Sequence, residues 1–307
     1  MSKFVYPVCL PSVGRTAYFS EFTNSHHKSF CKTILTDDIY SFNKFVDDLI
    51  VELCPQININ NLNIADKFYS MLSIRANNIG PMVEYTVDVE DEQNKKENVQ
   101  FSINLIDLLN KFDYYDIYSG TKIEEYGFEI YASLPKQFSN SIDIYDNMYN
   151  SIDKVVFKDK DIDINKLTKP ERQQLLDKLP GTLLGKIVNF LKRKEDILVK
   201  EPFVNIDIQK QLPFDTKMHL SMFNNSFYEL LKMFFNVNLK DFYSYEYTLI
   251  KNFNFSYDQI NKITPGELQT YFNVISEQLA KEKQEREESE QGNQWENPGP
   301  PNNMPHY

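Results

Sequence analysis

The chain has 307 residues, of which 41% are hydrophobic and 25% are charged. This is enough for one large domain or two ordinary domains with real cores. The formal net charge of -11 predicts an acidic surface. Such a surface repels phosphate backbones, so we expect no nucleic acid as a main partner.

The cysteines and the opening residues bear on the compartment. Cys9, Cys31 and Cys54 are odd in number and widely spaced, so they predict no disulfide framework and favour a reducing compartment. The start of the chain lacks the apolar stretch of a signal peptide, and no run of about 18 apolar residues could span a bilayer. We therefore expect a cytoplasmic protein with no membrane partner.

The opening "FVYPVCLPSVGRTAYFSEF" predicts two strands joined by the turn "PSVG". Pro11 presets φ for the turn, and Gly14 tolerates the left-handed conformation that closes it. Pro7 cannot donate to a ladder, which indicates an edge strand.

Three helices are predicted next, from "SHHKSFCKTIL", "DDIYSFNKFVDDLIVELC" and "DKFYSMLSIRANNIG". Asp37 and Asp38 suit the start of the second helix, where their charge meets the positive end of the helix dipole. Pro55 ends that helix, and Gly80 with the following proline stops the third.

Arg75 lies in the final turn of the third helix, on a stripe with Ile64, Phe68 and Leu72. A cation there stabilises free helix carbonyls, so we interpret Arg75 as a structural residue that caps carbonyls or pairs with a carboxylate. The alternative is an anion-binding or catalytic role, although no nearby His, Cys or Gly-rich loop completes such a site.

"MVEYTVDVE" and "NVQFSINL" alternate apolar and polar residues around a polar loop, which predicts a hairpin. "FEIYASLP", which ends at Pro135, predicts a further strand. Residues 1–138 are therefore predicted to form an α+β domain, a small antiparallel sheet covered on one face by helices.

Residues 139–165 are predicted to connect this domain to the rest. "SIDIYDNMYNSIDKVVF" (141–157) could form a helix. In "KDKDIDIN" the alternating Asp159, Asp161 and Asp163 imitate a calcium loop, but the central Gly and distal Glu of an EF-hand are missing. We interpret this stretch as a solvated acidic linker.

Residues 166–280 are predicted to form a mainly helical domain, with helices in "TKPERQQLLDKLPG", "GTLLGKIVNFLKRK", "SMFNNSFYELLKMFFN", "LKDFYSYEYTLIKNF" and "ITPGELQTYFNVISEQLAKEKQ". Thr264, Pro265 and Glu267 form a capping box that marks the start of the last helix. Residues 281–307 lose their apolar side chains and then gain Gly and Pro, which predicts a disordered tail.

No chemical motif emerges. Adjacent His26 and His27 do not have zinc-ligand spacing, and the chain has no G-x-S-x-G sequence, phosphate loop or dinucleotide fingerprint. We predict no metal, no cofactor and no enzymatic activity.

Aromatic residues at 222–257 should mostly build a helical core, but Phe223 and Phe227 are candidates for a partner interface. Trp295 either belongs to a disordered end or anchors a short segment that orders on a partner.

The order of features resembles the T4-type bacteriophage base plate protein family. The similarity lies in "VYPVCLPSVGRTAYFSEFT", "FYSMLSIRANNIGPMVEYTVD", "VQFSINL", "FEIYASLPKQF" and the helical run 227–272. The matching positions are Leu10, Pro11, Ser12, Gly14, Phe22, Arg75, Gly80, Leu134 and Pro135. Members often carry Cys pairs in hairpin loops, whereas this chain has "VEDEQNKKENV" and "VKEPFVNIDI" there. Asn77 and Asn78 stand where small residues or Ser are common.

The resemblance implies a non-enzymatic protein that takes part in assembly of the baseplate hub of a contractile phage tail. It would act as a hub subunit or as a transient chaperone, with other hub proteins or further copies of itself as partners. It would be found in the host cytoplasm during assembly, and in the virion tail if retained. A tail-tip cell-wall hydrolase and a generic intracellular interaction scaffold are the alternative functions.

Overall fold

A computed structural model describes residues 4–10, 12, 14–90, 96–111, 120–138, 148, 150–158, 160–195, 227–235 and 239–295. The strands are β1 (Val5–Leu10), β2 (Arg15–Ser20), β3 (Met82–Glu90), β4 (Lys96–Asn104), β5 (Thr121–Glu125), β6 (Phe128–Ala132), β7 (Ile152–Phe157) and β8 (Lys160–Asp163). The helices are α1 (Asn24–Leu35), α2 (Ile39–Leu53), α3 (Ile64–Asn78), α4 (Leu105–Lys111), α5 (Lys169–Leu176), α6 (Gly181–Glu195), α7 (Phe227–Phe235), α8 (Leu239–Phe253), α9 (Tyr257–Lys262) and α10 (Pro265–Trp295).

The architecture is α+β, as predicted, with small antiparallel sheets among helices and a helical C-terminal half. Strands β1 and β2 form the predicted hairpin, and their two-stranded sheet leaves Pro7 on an edge, opposite Tyr18. Burial alternates along β1, since Tyr6, Val8 and Leu10 are buried. The hairpin therefore presents one apolar face to the core.

Helices α1, α2 and α3 confirm the three predicted helices. Asp38 caps α2 by accepting hydrogen bonds from the backbone N–H groups of Tyr40 and Ser41, both at 3.1 Å. The apolar stripe of α2 is buried and includes Phe42, Val46, Leu49, Ile50 and Leu53. These helices and the hairpin build the largest apolar cluster of the described residues.

Strands β3 and β4 form the second predicted hairpin, with Val83 paired to Ile103 and both side chains buried. Helix α4, which the sequence analysis did not predict, follows β4 directly. Its Leu105 and Leu109 are buried in the first apolar cluster. The apolar end of this hairpin thus joins the same core as α3.

A four-stranded antiparallel sheet has the order β5–β6–β7–β8. The prediction of a helix over 141–157 is wrong at Ile152–Phe157, because these residues form strand β7 of this sheet. The stretch 160–163, predicted to be linker, forms β8. Ile130 pairs with Val155, and both are fully buried beneath α5 and α6 in a second apolar cluster. Asp161 and Asp163 remain exposed or half-buried, so the stretch is solvated although it is not a linker.

The remaining helices divide between two clusters. Tyr228, Leu231, Phe234 and Phe235 of α7 belong to the first apolar cluster, together with α1, α2 and α3. Helices α8, α9 and α10 share a third cluster, built from Phe242, Leu249, Ile260, Leu268 and Ile275. The predicted division into domains at 139–165 stays a prediction.

Helix α10 begins at the predicted capping box. Glu267 accepts from the N–H of Thr264 at 2.8 Å, and the N–H of Glu267 donates to the Thr264 hydroxyl at 3.2 Å. The helix then continues past residue 280, where the tail was predicted to start, and ends at Trp295. Residues 276–288 are exposed, and good helix formers with pairs such as Lys283–Glu287 sustain this stretch. Residues 296–307 lie outside the described residues.

Candidate functional site around helix α3

Helix α3 is the central helix of the first cluster. The predicted stripe of Ile64, Phe68, Leu72 and Arg75 is buried, but so is every other residue of the helix except Asn77. A helix that is covered on all sides must satisfy its polar side chains inside the protein. Its charged and amide side chains therefore form hydrogen bonds and ion pairs with the surrounding elements.

At its N-terminal end, α3 is tied to the β1–β2 turn through Asp66. This fully buried carboxylate accepts hydrogen bonds from the Ser12 N–H at 2.9 Å and from the Ser12 hydroxyl. It also accepts from the Asn63 N–H at 3.1 Å, which completes a capping box. Burial raises the pKa of Asp66, whereas these hydrogen bonds oppose that shift.

Lys67 ties the same end of α3 to α2 and to the segment after β6. Its Nζ lies 2.6 Å from Oδ1 of Asp47 and donates to the Lys136 carbonyl at 2.6 Å. The Pro135 carbonyl accepts from the N–H of Ile64 at 2.7 Å. Burial lowers the pKa of Lys67, and Asp47 counteracts that effect.

At the C-terminal end of α3, Arg75 donates to three backbone carbonyls, one from α7 and two from the stretch that leads into β3. Nε reaches Phe234 of α7 at 3.1 Å, one terminal nitrogen reaches Gly80, and the other reaches Met82 of β3 at 3.2 Å. Burial lowers the pKa of Arg75 to about 10, so the guanidinium keeps its charge at neutral pH. Its planar fork of donors suits this three-way contact, which a lysine could not reproduce.

Asn78 is a residue whose role the sequence analysis missed. Its Oδ1 accepts from the Phe22 N–H at 2.9 Å, and its Nδ2 donates to the Tyr6 hydroxyl at 3.0 Å. The side chain therefore holds both strands of the first hairpin region against the end of α3. The departure of Asn78 from the small residues of the family pattern was the available signal.

His27 of α1 lies close to this end. Neither ring nitrogen has a hydrogen-bond partner, and the ring packs among Phe22, Phe235 and Phe242 at centroid distances of 6.0, 6.5 and 5.8 Å. Burial, followed by the charge of Arg75, lowers the pKa of His27 to about 4. The imidazole is therefore neutral at physiological pH.

Comparison with known families identifies the chain. Residues 3–224 match the model of the T4 bacteriophage base plate protein family. The chain belongs to this family. The match covers the hairpin, α3 and the contacts above, except those that Arg75 makes to Phe234 and that His27 makes to Phe235 and Phe242. No curated protein and no solved structure matches the chain.

The remaining predicted site residues of this base plate protein are spread along the chain. Gly14 has a φ of 61° and Gly80 a φ of 142°, both in the region that favours glycine. Pro11 and Phe223 lie outside the described residues. Phe227 and Trp295 stand at the first position of α7 and the last of α10, and nothing is described of their side chains. The structure thus brings Gly80 and Pro135 into contact with α3, which carries Arg75, whereas Trp295 is the last residue of α10.

The charged side chains of α3 bind other groups of the same chain. Asp66, Lys67 and Arg75 all bond to backbone groups or to a neighbouring side chain, and these bonds join α3 to five other segments. Within the described ranges, no group of three or more His, Cys, Asp and Glu side chains could hold a metal ion. Over the same ranges, none of the helices combines the length and apolarity needed to cross a membrane.

Proposed function

We propose that this base plate protein is a non-enzymatic component of baseplate hub assembly, either a hub subunit or a transient chaperone. The observation that carries the proposal is that the charged residues of α3 bind other parts of the same chain. Each of Asp66, Lys67 and Arg75 is buried and bonded within the chain, which leaves none of them free to act on a substrate. This arrangement suits a rigid body that works by contact.

Exposed aromatic side chains supply candidate contacts with other baseplate proteins. Tyr243, Tyr247 and Ile250 follow one another along α8 at spacings of four and three, and they are 45%, 63% and 40% exposed. Tyrosine is enriched at protein interfaces because it offers a large apolar body with a polar end. This stripe is a further candidate beside Phe223 and Phe227, which stay a prediction.

The test is the phenotype of a phage that lacks the gene, seen by electron microscopy of infected-cell lysates. We expect incomplete baseplates and tails without a formed hub, and the intact gene supplied in trans should restore them. Complete particles that attach but fail to breach the cell wall would instead indicate a tail-tip hydrolase.

Mass spectrometry of purified virions distinguishes the two forms of the proposal. Abundant peptides from the chain would identify a subunit retained in the hub. Their absence, together with incomplete hubs in the deletion phage, would identify a chaperone that acts only during assembly.

A further inference from the structure

The C-terminal helical unit, defined as α8, α9 and α10, has its own apolar cluster. Among the described residues, this cluster shares no member with the one around α3. The unit also lies beyond residue 224, where the match to the family ends. The unit therefore has an apolar core of its own outside the region that matches the family. The contacts between this unit and the rest of the chain decide whether it can move separately.

A buried ion pair between α1 and α8 is the centre of the attachment. Nζ of Lys28 bonds to Oε1 of Glu246, and each side chain is only 6% exposed. The same Nζ donates to Asn261 at 2.8 Å and lies 4.5 Å from the ring centroid of Tyr257. The rings of Phe242 and Tyr243 lie 5.0 and 6.0 Å from this Nζ, so five residues of the unit surround one lysine of α1.

Asn24, one helical turn before Lys28, adds two further hydrogen bonds. Its N–H donates to the Ile263 carbonyl at 2.9 Å, and its Nδ2 donates to the Ile260 carbonyl at 2.8 Å. Asn24 is fully buried, and its Oδ1 has no partner. The attachment to α1 therefore combines the polar bonds of Asn24 and Lys28 with the aromatic contact between His27 and Phe242.

The contact with α3 is close but incomplete. A β-carbon on Gly266 would lie 3.0 Å from the Asn78 carbonyl oxygen, which is tighter than most real contacts of a β-carbon, so glycine suits this close approach of α10 to the end of α3. Beside this contact an open cavity of about 540 Å³ separates Asn77 and Gly80 from Thr270 and Tyr271. The boundary is therefore packed at one point and open next to it.

We propose that the C-terminal helical unit is an arm that opens as one piece from the rest of the protein, which we call the body. The Lys28–Glu246 pair and the Gly266 contact hold the arm closed. A buried pair contributes little net stability to a well-packed interface but fixes one geometry, because loss of either partner leaves an unpaired buried charge. Opening rehydrates both charges, exposes Asn24 and uncovers the side of Phe242 that packs against His27, while the other members of both apolar clusters stay packed. The inference does not depend on the hub role.

Native-state hydrogen exchange of the full-length chain, read by mass spectrometry, tests this. In the unaltered protein we expect peptides from α8, α9 and residues 265–275 to exchange at one common rate, faster than peptides from α3. If both regions exchange together at the slowest rate, the arm does not open separately and the proposal is wrong. This result is available even if a variant fails to fold.

Two variants test the named contacts. Lys28→Met should speed exchange in the arm by about 100-fold or more, because it leaves the Glu246 carboxylate buried alone. Gly266→Ala should speed it by about tenfold or more, because the new methyl group meets the Asn78 carbonyl, although alanine favours the helix itself. Exchange in α3 should not change in either variant.

Gly185→Ala is the matched control, because a β-carbon at this helical glycine meets nothing within 4 Å. It should leave exchange in the arm unchanged. Equal acceleration of α3 and the arm in Lys28→Met or Gly266→Ala would show one cooperative unit. No acceleration in either would show that these contacts do not hold the arm, and both outcomes overturn the proposal.

Discussion

Single side chains carry much of the connectivity of this base plate protein. Arg75, Asp66, Lys67 and Asn78 lie on one helix, yet together they bind the first hairpin, α2, the segment after β6, β3 and α7. Each of these four side chains is buried, so each must find its hydrogen-bond partners inside the protein. Loss of one side chain therefore affects several segments at once.

Arg75→Ala should lower the free energy of unfolding by about 3 kcal/mol, because it leaves the carbonyls of Phe234, Gly80 and Met82 without their donor. Urea denaturation followed by circular dichroism measures this loss. Arg15→Ala, at an exposed position, should change stability by less than about 0.5 kcal/mol. An Arg75→Ala protein of unchanged stability that no longer supports hub assembly would show that the arginine has a functional role instead.

His27 should make stability depend on pH. The unfolded chain binds a proton at the ordinary imidazole pKa of 6.5, whereas the folded protein binds it only near the lowered pKa of about 4. The stabilisation is therefore complete above pH 6.5 and is lost as the pH falls from 6.5 towards 4, by up to about 3 kcal/mol.

The variant His27→Phe keeps the aromatic packing and removes the titration. Urea denaturation at pH 7.5 and pH 5 should show a smaller difference in unfolding free energy for His27→Phe than for the unaltered protein. The comparison cancels the contributions of other titrating groups, including the carboxyl of Asp66. Identical differences in the two proteins would contradict a buried neutral imidazole.

At the scale of elements, the turn of the first hairpin is fastened to α3 by Ser12. Ser12→Ala removes the hydroxyl bond to the Asp66 carboxylate and should cost about 1–2 kcal/mol. Hydrogen exchange should rise in β1 and β2 more than in α2. Ser29→Ala, which removes an exposed bond to the Ser25 carbonyl, is the control and should have little effect. Equal stability of both variants would mean that the turn is held by its apolar residues alone.

Elements with a strong period or a cap could be predicted from sequence, and those set by distant neighbours could not. The apolar stripe of α2 predicted that helix correctly, and the capping box at Thr264 predicted the start of α10 correctly. The apolar residues of 152–157 fit either a helix or a strand, and pairing with β6 decided for a strand. Burial of α3 on all sides could not be predicted either, because the groups that bind Asp66, Lys67 and Arg75 come from distant parts of the chain. They are Ser12, Asp47 and the Phe234 carbonyl.

The polar stretch 281–288 shows the opposite error, because it was predicted to be disordered and is helical. Its composition of Glu, Lys and Gln predicted disorder, but the same residues have high helix propensity, and α10 continues through them. No contact with the described body is needed for this, since neighbouring turns supply pairs such as Gln284–Glu288 at 2.9 Å. Charge content alone does not separate a solvated helix from a coil.

At the scale of the whole molecule, the proposal is a body that acts by shape and contact. Purified protein should therefore release no fragments from peptidoglycan, as measured by the turbidity of a cell-wall suspension over time. A lysozyme sample provides the positive control. Clearing of the suspension by the chain, and loss of that clearing when the protein is unfolded, would favour the hydrolase.

Substitutions in the exposed stripe on α8 should weaken the binding of partner proteins. A Tyr243→Ser/Tyr247→Ser double variant should keep its unfolding free energy within about 0.5 kcal/mol, because both side chains are largely exposed. Its binding to partner proteins should fall at least about tenfold, which is the loss typical of interface aromatics. Tyr126→Ser, at a 70% exposed position between β5 and β6, is the control.

Capture of the tagged chain from phage-infected cells, followed by identification of the bound proteins, tests the central claim most directly. We expect other tail baseplate proteins to be captured with the unaltered chain and with Tyr126→Ser, and to be depleted with Tyr243→Ser/Tyr247→Ser. Capture of host proteins alone, with no tail protein among them, would contradict a role in baseplate assembly.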